Sequence, residues 1–359
     1  MTKYSQIADA LLSWFEMNRR DLPWREDRTA YGTWVSEIML QQTRVTAVIP
    51  YFKRFLTLFP DIPALAIAPQ SDIYKAWEGL GYYSRVANLQ KGAAFCMDNF
   101  DGRLPNDYQQ LLSIPGIGPY TAGAIASLAF GLPEPAVDGN VIRVFSRLFA
   151  LRIFPQDIKA RIEVSTLVKN SFPEDRAGDF NEAVMDLGAA VCIPGNPSCN
   201  ICPVSIFCEA FMLGIQKELP LRKPKKNVPV IPYTIVVMRK GQQLFLRQRP
   251  DTGLLANLFE FPAYPGFLKQ DELKGHLYRD YGIIPDQIQS ILPLGGASHT
   301  FSHLKWKMEG YLVDISVNRK VSMALRVSEK QPHGDYYSIS MAKKMAFASA
   351  IKVYTSIVL

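Results

Sequence analysis

The chain lacks any run of about eighteen apolar residues, so a membrane-spanning helix is excluded as its organising element. Its first residues, Met1 to Trp14, show neither the charged-then-apolar layout nor the small-residue cleavage site of a secretion signal. No polybasic run adjoins an apolar anchor, and no internal repeat or low-complexity tract is present. These absences predict an intracellular protein with no membrane partner, cytoplasmic or nucleoid-associated if the source is bacterial. Cysteine is scarce, at five residues in 359. A chain of this length buries a core in each of two or three domains and needs no disulfide framework.

Four of those five cysteines nevertheless fall within 17 residues: Cys192, Cys199, Cys202 and Cys208. So tight a cluster reads as a metal site. Most zinc modules present two close Cys/His pairs, and here only Cys199 and Cys202 make such a pair. Four thiolates on one short loop suit an iron–sulfur cube, which takes one Cys per ligating iron; zinc is the alternative. Cys96, outside the window, reads as a small buried apolar residue. An apolar content of 48% is ordinary for a globular protein. The net charge of +7 and the pI near 9.0 favour a polyanionic partner, nucleic acid before membrane.

Residues 5 to about 215 read as helices separated by short Gly/Pro breaks, with no hairpin signal. Apolar residues recur at helical spacing in Ile7, Leu11, Leu12, Trp14 and Phe15, and again from Val45 to Leu56. Residues 218–232 carry Pro220, Pro224, Pro229 and Pro232 among Lys and Arg, which predicts a stiff, extended basic linker. Beyond it the period changes to two. Thr234–Met238, a Lys240-Gly241 turn and Leu244–Arg247 predict a hairpin. A helix is expected near Asp271–Tyr281, strand-like segments through Thr300–Val317, and a last helix over Ser340–Tyr354.

Two segments carry the chemistry. In Ile114-Pro115-Gly116-Ile117-Gly118-Pro119-Tyr120, glycines spaced by one residue allow a tight turn beside a helix N-terminus. Amides there bind a phosphate without reading sequence, although such a turn is equally a plain connection between helices. Asp138-Gly139-Asn140 follows about twenty residues downstream, where Asp138 would cap a helix beginning near Asn140.

Taken in order, these segments resemble the helix–hairpin–helix DNA glycosylases related to endonuclease III, and more closely the MutY-type adenine DNA glycosylases. The match includes Leu22-Pro23-Trp24-Arg25, Ser36 to Thr43, Gly79 to Arg85, Met185 to Ala189 and the cysteine loop. It is dense over residues 5–215, thinner over 230–315 and generic beyond. It implies an all-α helix–hairpin–helix glycosylase domain over residues 1–217, with the hairpin near 111–130 and the iron–sulfur loop at 192–208. A small α/β Nudix-like domain over residues 233–359 would follow the linker.

The resemblance further implies a monomer that removes adenine mispaired with 8-oxoguanine or guanine from duplex DNA. It implies one [4Fe–4S] cluster on the four cysteines and allows a bound cation at the hairpin turn. Glu37 would protonate the base and activate water, while Asp138 would stabilise the sugar cation, oriented by Asn140. If the Glu37 helix started near Thr33, its dipole would lower the Glu37 pKa, and burial would have to prevail. Endonuclease III-type relatives carry a Lys after the hairpin; Tyr120 stands here, so no amine nucleophile for strand cleavage is expected.

Trp24, Arg25 and Glu182 would line the adenine pocket, with Arg25 and Glu182 otherwise a surface pair. Gln42, Thr43, Leu80 and Tyr82 would enter the vacated base stack. Gly116 and Gly118 would hold DNA phosphate. Phe301, Ser302 and His303 would match the family loop that contacts 8-oxoguanine, and His299, Phe301, His303, Lys305 and Lys307 would share one face if this stretch is extended. Around Gly253 the acidic cluster of a Nudix hydrolase fails, because Phe259 replaces its first Glu and Leu277-Tyr278-Arg279-Asp280 holds no Glu pair.

Overall fold

The computed structural model describes residues 2–224, 227–316 and 334–359. They divide into two compact units, Met1–Ala68 with Arg85–Lys225, and Pro69–Ser84 with Lys226–Leu359. Among the described residues no helix is long and apolar enough to cross a membrane.

The first unit is helical. Ile7, Leu11 and Phe15 of helix Lys3–Asn18 pack with Val141 and Phe145 of helix Gly139–Leu148 and with Phe180 and Leu187 of helix Ala177–Ala190. Each such side chain contributes about 1.5–3 kcal/mol when fully buried. The hairpin consists of helix Tyr108–Ser113, the turn through Gly116 and helix Pro119–Leu128, with Pro119 at its first position, where no backbone donor is needed. Gly116 has φ +85°, and a Cβ there would lie 2.8 Å from Asn88 Cβ, so only glycine closes this turn.

Part of the stretch expected as a stiff, extended linker, residues 218–232, is held by neighbouring segments. Leu219 is buried, the Leu221 amide donates to Ile153 O at 3.0 Å, and Lys223 pairs with Asp157. Val230 already belongs to the first strand.

In the second unit, β1 (Val230–Lys240) and β2 (Gln243–Gln248) form the expected hairpin, closed around Gly241 at φ +58°. The strands β3 (Phe259–Glu260), β4 (Ala263–Pro265), β5 (Ile288–Thr300), β6 (Lys305–Ile315) and β7 (Asp335–Ser338) complete a seven-stranded sheet in the order β3-β2-β1-β6-β5. β4 joins β1 and β7 joins β2 antiparallel, while β1 and β6 pair in parallel. Helix Gln270–Tyr281 buries Leu273 and Leu277 and ends at Gly282, φ +68°, a left-handed cap. Val317, the end of one expected strand segment, lies outside the described residues.

The expected helix over Ser340–Tyr354 is broken into Ile339–Ala342, a short 3-10 turn and Lys352–Val358. Between them Ala346 O accepts from Phe259 N at 3.0 Å and Phe347 bridges Phe259, so this stretch pairs with β3 instead of coiling. Pro69–Ser84, sequentially inside the helical region, also groups here: Tyr83 Oη donates to Phe347 O at 3.4 Å.

Helices Gly139–Leu148 and Ala177–Ala190 cross so closely at Gly188 that a Cβ there would lie 2.7 Å from Asn140 Cβ. Gly188→Ala is expected to destabilise the protein by about 1–3 kcal/mol. Gly275→Ala, in open space within a helix, should instead stabilise by about 0.5–1 kcal/mol. Denaturant unfolding of both variants checks this; effects of the same sign would refute the close-approach account.

Candidate active site

Glu37 and Asp138 line one cleft in the first unit. Trp24, Arg25, Gln42, Thr43, Tyr120, Asn140 and Glu182 share it, and its volume is about 580 Å³. That lies within the range of small-molecule sites, about 300–1,000 Å³.

Glu37 is the eighth residue of helix Ala30–Leu40, which starts at the Thr29 cap, where Thr29 Oγ1 accepts from Gly32 N. The start expected near Thr33 is therefore corrected. Glu37 lies beyond the first turn, where the helix dipole exerts no pull on its proton. Arg85 closes the other end of this helix, donating to the carbonyls of Ile38, Met39 and Gln41 at 2.6–3.1 Å. Tyr120, one residue into the second hairpin helix, donates through Oη to Glu37 Oε2 at 2.5 Å. Burial pushes the Glu37 pKa up to about 7, against the lowering effect of the Tyr120 hydrogen bond and with help from the negative charges of Asp138 and Glu182. Burial also keeps the Tyr120 hydroxyl protonated, well above the usual phenol range.

Asp138 caps helix Gly139–Leu148. Its Oδ1 accepts from Val141 N at 2.8 Å and its Oδ2 from Asn140 Nδ2 at 2.7 Å. Burial raises the pKa, and the Val141 and Asn140 hydrogen bonds only oppose that rise. Asn140 Oδ1 in turn accepts from Arg143 Nη2 at 2.7 Å, and Arg143 Nε donates to Cys192 O at 2.8 Å.

Arg25 and Glu182 are a buried pair, not a surface one, at 10% and 6% side-chain exposure and 2.8 Å apart. Glu182 also accepts from Arg28 at 2.6 Å, and Asp186 accepts from Arg25 and Arg20. Burial raises the Glu182 pKa despite its arginines. For Asp186, burial is outweighed by the hydrogen bonds from Arg25 and Arg20, and its pKa is lowered. Trp24 is 7% exposed and packs edge-on to Phe52 at 5.4 Å while also lining the cleft. Sequence reasoning gave no role to Arg20, Arg28, Arg85, Arg143, Asn181 or Asp186. Asn181 takes Ala136 N and donates to Glu134 O, which fixes the segment leading into Asp138. Arg85, Arg143, Asn181 and Asp186 are charged or amide residues within helices, whereas Arg20 and Arg28 lie between helices and carry no local signal.

Gly116 and Gly118 sit at the hairpin turn and do not line the cleft. Gly118 is exposed at the N-cap of helix Pro119–Leu128, and a Cβ on it would meet nothing within 4 Å. Leu80 and Tyr82 belong to the Gly79–Gly81 turn, grouped with the second unit. Tyr82, half exposed, and Gln42 both hold left-handed backbone, φ +49° and +58°, a strained conformation frequent at functional sites.

Phe301, Ser302 and His303 form the tip between β5 and β6, where Phe301 N donates to Leu304 O at 2.8 Å. The expected single extended face is therefore corrected. The chain reverses here, His299 pairs across with Trp306, and Lys305 and Lys307 face the other way with Thr300 and Ser298. Phe301 stacks edge-on between His299 and Trp306, at 4.7 and 5.1 Å.

Cys192, Cys199, Cys202 and Cys208 are free thiols that ring one small cavity with Arg147 and Gln216. Among the described residues no three Cys, His, Asp or Glu side chains converge as ligands of a single ion. A four-iron cube sets each thiolate on a separate iron, so its ligands surround a volume and do not meet at a point. Burial pushes the Cys202 thiol up to about 12 and also raises Cys199 and Cys208, so thiolates here need a cationic centre. Arg147 Nη2 is buried without a hydrogen-bond partner, a cation suited to an anionic group in the cavity. The donor set fits an iron–sulfur cluster.

This frame is that of a base-excision repair protein of the helix–hairpin–helix class. Residues 35–170 match the model of the HhH-GPD superfamily base excision DNA repair protein, and residues 233–356 match the NUDIX domain. A thermostable thymine-DNA glycosylase structure is similar at 29% identity and TM-score 0.54, over 59% of this chain and 97% of that one. An endonuclease III–DNA complex shares the fold at 24% identity and TM-score 0.51, over 60% of this chain and all of that one. Adenine DNA glycosylase of Buchnera aphidicola subsp. Baizongia pistaciae is 34% identical over 82% of this chain and 82% of its own length. The Homo sapiens adenine DNA glycosylase is 35% identical over 84% of this chain and 66% of its own length. The chain belongs to the adenine DNA glycosylase family, hydrolases acting on N-glycosyl bonds.

Glu37 generates a stability prediction. Its folded pKa, about 7, exceeds the ordinary 4.5, so its contribution is intact at low pH and lost as pH rises from about 4.5 through 7. Glu37→Gln is therefore expected to match the native protein near pH 4 and exceed it by on the order of 3 kcal/mol above about pH 7. Urea melts across this window check it, and a pH-independent difference would refute the buried-acid account.

Proposed function

We propose that this enzyme hydrolyses the N-glycosidic bond of adenine mispaired with 8-oxoguanine, or with guanine, in duplex DNA, and leaves an abasic site without cutting the strand. The observation that supports this most directly is a proton-holding Glu37 and a doubly hydrogen-bonded Asp138 on the walls of one cleft. A base inside a duplex cannot reach such a cleft, so the nucleotide is extruded, with Gln42, Thr43, Leu80 and Tyr82 filling the gap. Trp24, Arg25 and Glu182 hold the base. Protonated Glu37 delivers its proton to a ring nitrogen, and the electron pair of the glycosidic bond leaves with adenine. The Asp138 carboxylate, oriented by Asn140, stabilises the oxocarbenium ion. Glu37, now ionised, takes a proton from the water that adds to the sugar carbon, which restores the acid.

Tyr120 holds the place after the hairpin, and no lysine lines the cleft among the described residues, so no Schiff base forms there. Gly116 and Gly118 offer amides to a phosphate, and the family resemblance adds a cation bound at the same turn. The Phe301–Ser302–His303 tip reads the lesion, because the Ser302 hydroxyl both donates and accepts. Its side chain is exposed, 3.4 Å from His303 Nδ1. The four cysteines hold one [4Fe–4S] cluster, which when bound shapes the loop over residues 192–208.

Single-turnover base release from a panel of mispairs tests the reading. Adenine opposite 8-oxoguanine should be released fastest, with breaks appearing only after alkali. Glu37→Gln should slow release about 10²–10⁴-fold while DNA affinity stays within a few-fold. The native rate should fall about tenfold per pH unit above about 7, the pKa of Glu37. Unchanged release from the Gln variant, or faster release of thymine from G·T pairs, would overturn it.

A further inference from the structure

Arg147 is 2% exposed, on the last turn of helix Gly139–Leu148, and most of its guanidinium is engaged by backbone. Nε donates to Leu219 O at 3.0 Å, and Nη1 donates to Ile193 O at 2.9 Å and to both the carbonyl and the Sγ of Cys192 at 3.2 Å. Nη2 alone is buried with no partner, although the residue lines the four-thiol cavity. An unpaired buried guanidinium N–H is costly, and such groups are rare without a ligand to receive them. Gln216 lines the same cavity, and its amide oxygen is likewise buried without a partner. Sulfide and thiolate are acceptors only, so an amide oxygen has the wrong polarity there. Turning the amide about its last torsion exchanges oxygen for NH₂, and the two orientations are equivalent in shape. Two unpartnered groups from separate segments thus adjoin one anionic ligand site.

We propose that Arg147 Nη2 and the Gln216 side-chain amide are N–H donors to the sulfur of the bound iron–sulfur cluster and set its retention and reduction potential. This rests on the cluster reading above. Donors and positive charge favour the more negatively charged, reduced cluster, so removing them moves the potential down. Arg147 also ties the loop to the helix that Asp138 caps, whereas Gln216 touches the site from the opposite chain direction; Gln216 variants therefore separate the donor effect from folding.

The test uses the purified full chain, with iron and sulfide content, iron release to a chelator followed by the visible cluster absorbance, and the midpoint potential by film electrochemistry. Gln216→Leu should release iron several-fold faster. Its reduced-to-oxidised ratio at a fixed potential should drop about tenfold, equivalent to about 59 mV for a one-electron couple. Gln216→Glu, which replaces the donor by an anion, should shift the potential further in the same direction. Arg147→Lys, which keeps the charge and loses the fork, should lie between native and Gln216→Glu in potential but release iron fastest. Iron and sulfide in the native protein with unchanged potential and release in both Gln216 variants would overturn the donor assignment alone. Zinc without iron in the native protein would overturn the cluster reading and this inference with it.

Discussion

A single buried carboxyl group constrains the rest of the first unit. Glu37 is 6% exposed, and its nearest polar neighbour is a phenol that favours the ionised form, yet loss of hydration outweighs that hydrogen bond. For desolvation to prevail, the walls must be rigid and close. The Thr29 cap and the Arg85 clamp fix both ends of the Glu37 helix, and Tyr120 presses on the carboxyl from the hairpin. The hairpin's turn depends on a left-handed glycine packed against Asn88. The hairpin turn and the Glu37 carboxyl are therefore joined by one short helix.

Helix Ala177–Ala190 acts as the common support for the opposite wall. Successive turns present Asn181 to the segment before Asp138, Glu182 and Asp186 to the arginines, and Gly188 to Asn140. The absence of a side chain at Gly188 lets Asn140 stand where it bonds Asp138, so a close helix crossing sets the orientation of that carboxyl. Arg143 touches Asn140, the Gly188 carbonyl and the Cys192 carbonyl at once. The first residue of the cysteine loop and the cap at Asp138 therefore share one hydrogen-bonded chain.

Much of this was legible in the sequence where a local pattern has one physical solution. The Gly-x-Gly turn, the Asp138 cap, the β1–β2 hairpin and the helix ending at Gly282 depend on neighbours within a few residues. The 13-residue β5 was not read, because Pro293, Gly295 and Gly296 interrupt its alternation and few of its side chains are buried. The final helix was over-extended because the apolar pattern of residues 343–348 serves pairing with β3, a long-range demand that periodicity does not carry. The reversal at Phe301–Leu304 carries no local turn signal for a related reason: without glycine or proline, Ser302 and His303 also fit an extended strand, and only the family resemblance marks a loop there. The arginine network was invisible because its partners stand some 150 to 166 positions apart.

That network decides where the site keeps its proton. Glu37, Asp138, Glu182 and Asp186 are four carboxyls in or beside one cleft, and in a medium of low polarity they cannot all ionise without compensation. Asp186 and Glu182 receive direct guanidinium contacts from Arg20, Arg25 and Arg28, and Asp138 receives two hydrogen bonds at a helix N-terminus. Glu37 receives a neutral phenol and feels Arg25 only at a distance. Direct guanidinium contacts thus go to Glu182 and Asp186, neutral N–H donors to Asp138, and a phenol to Glu37. A positive charge next to Glu37 would lower its pKa and leave it ionised at neutral pH, with no proton to give. The selectivity of the proton for Glu37 follows from which residues lack a partner as much as from which residues are present.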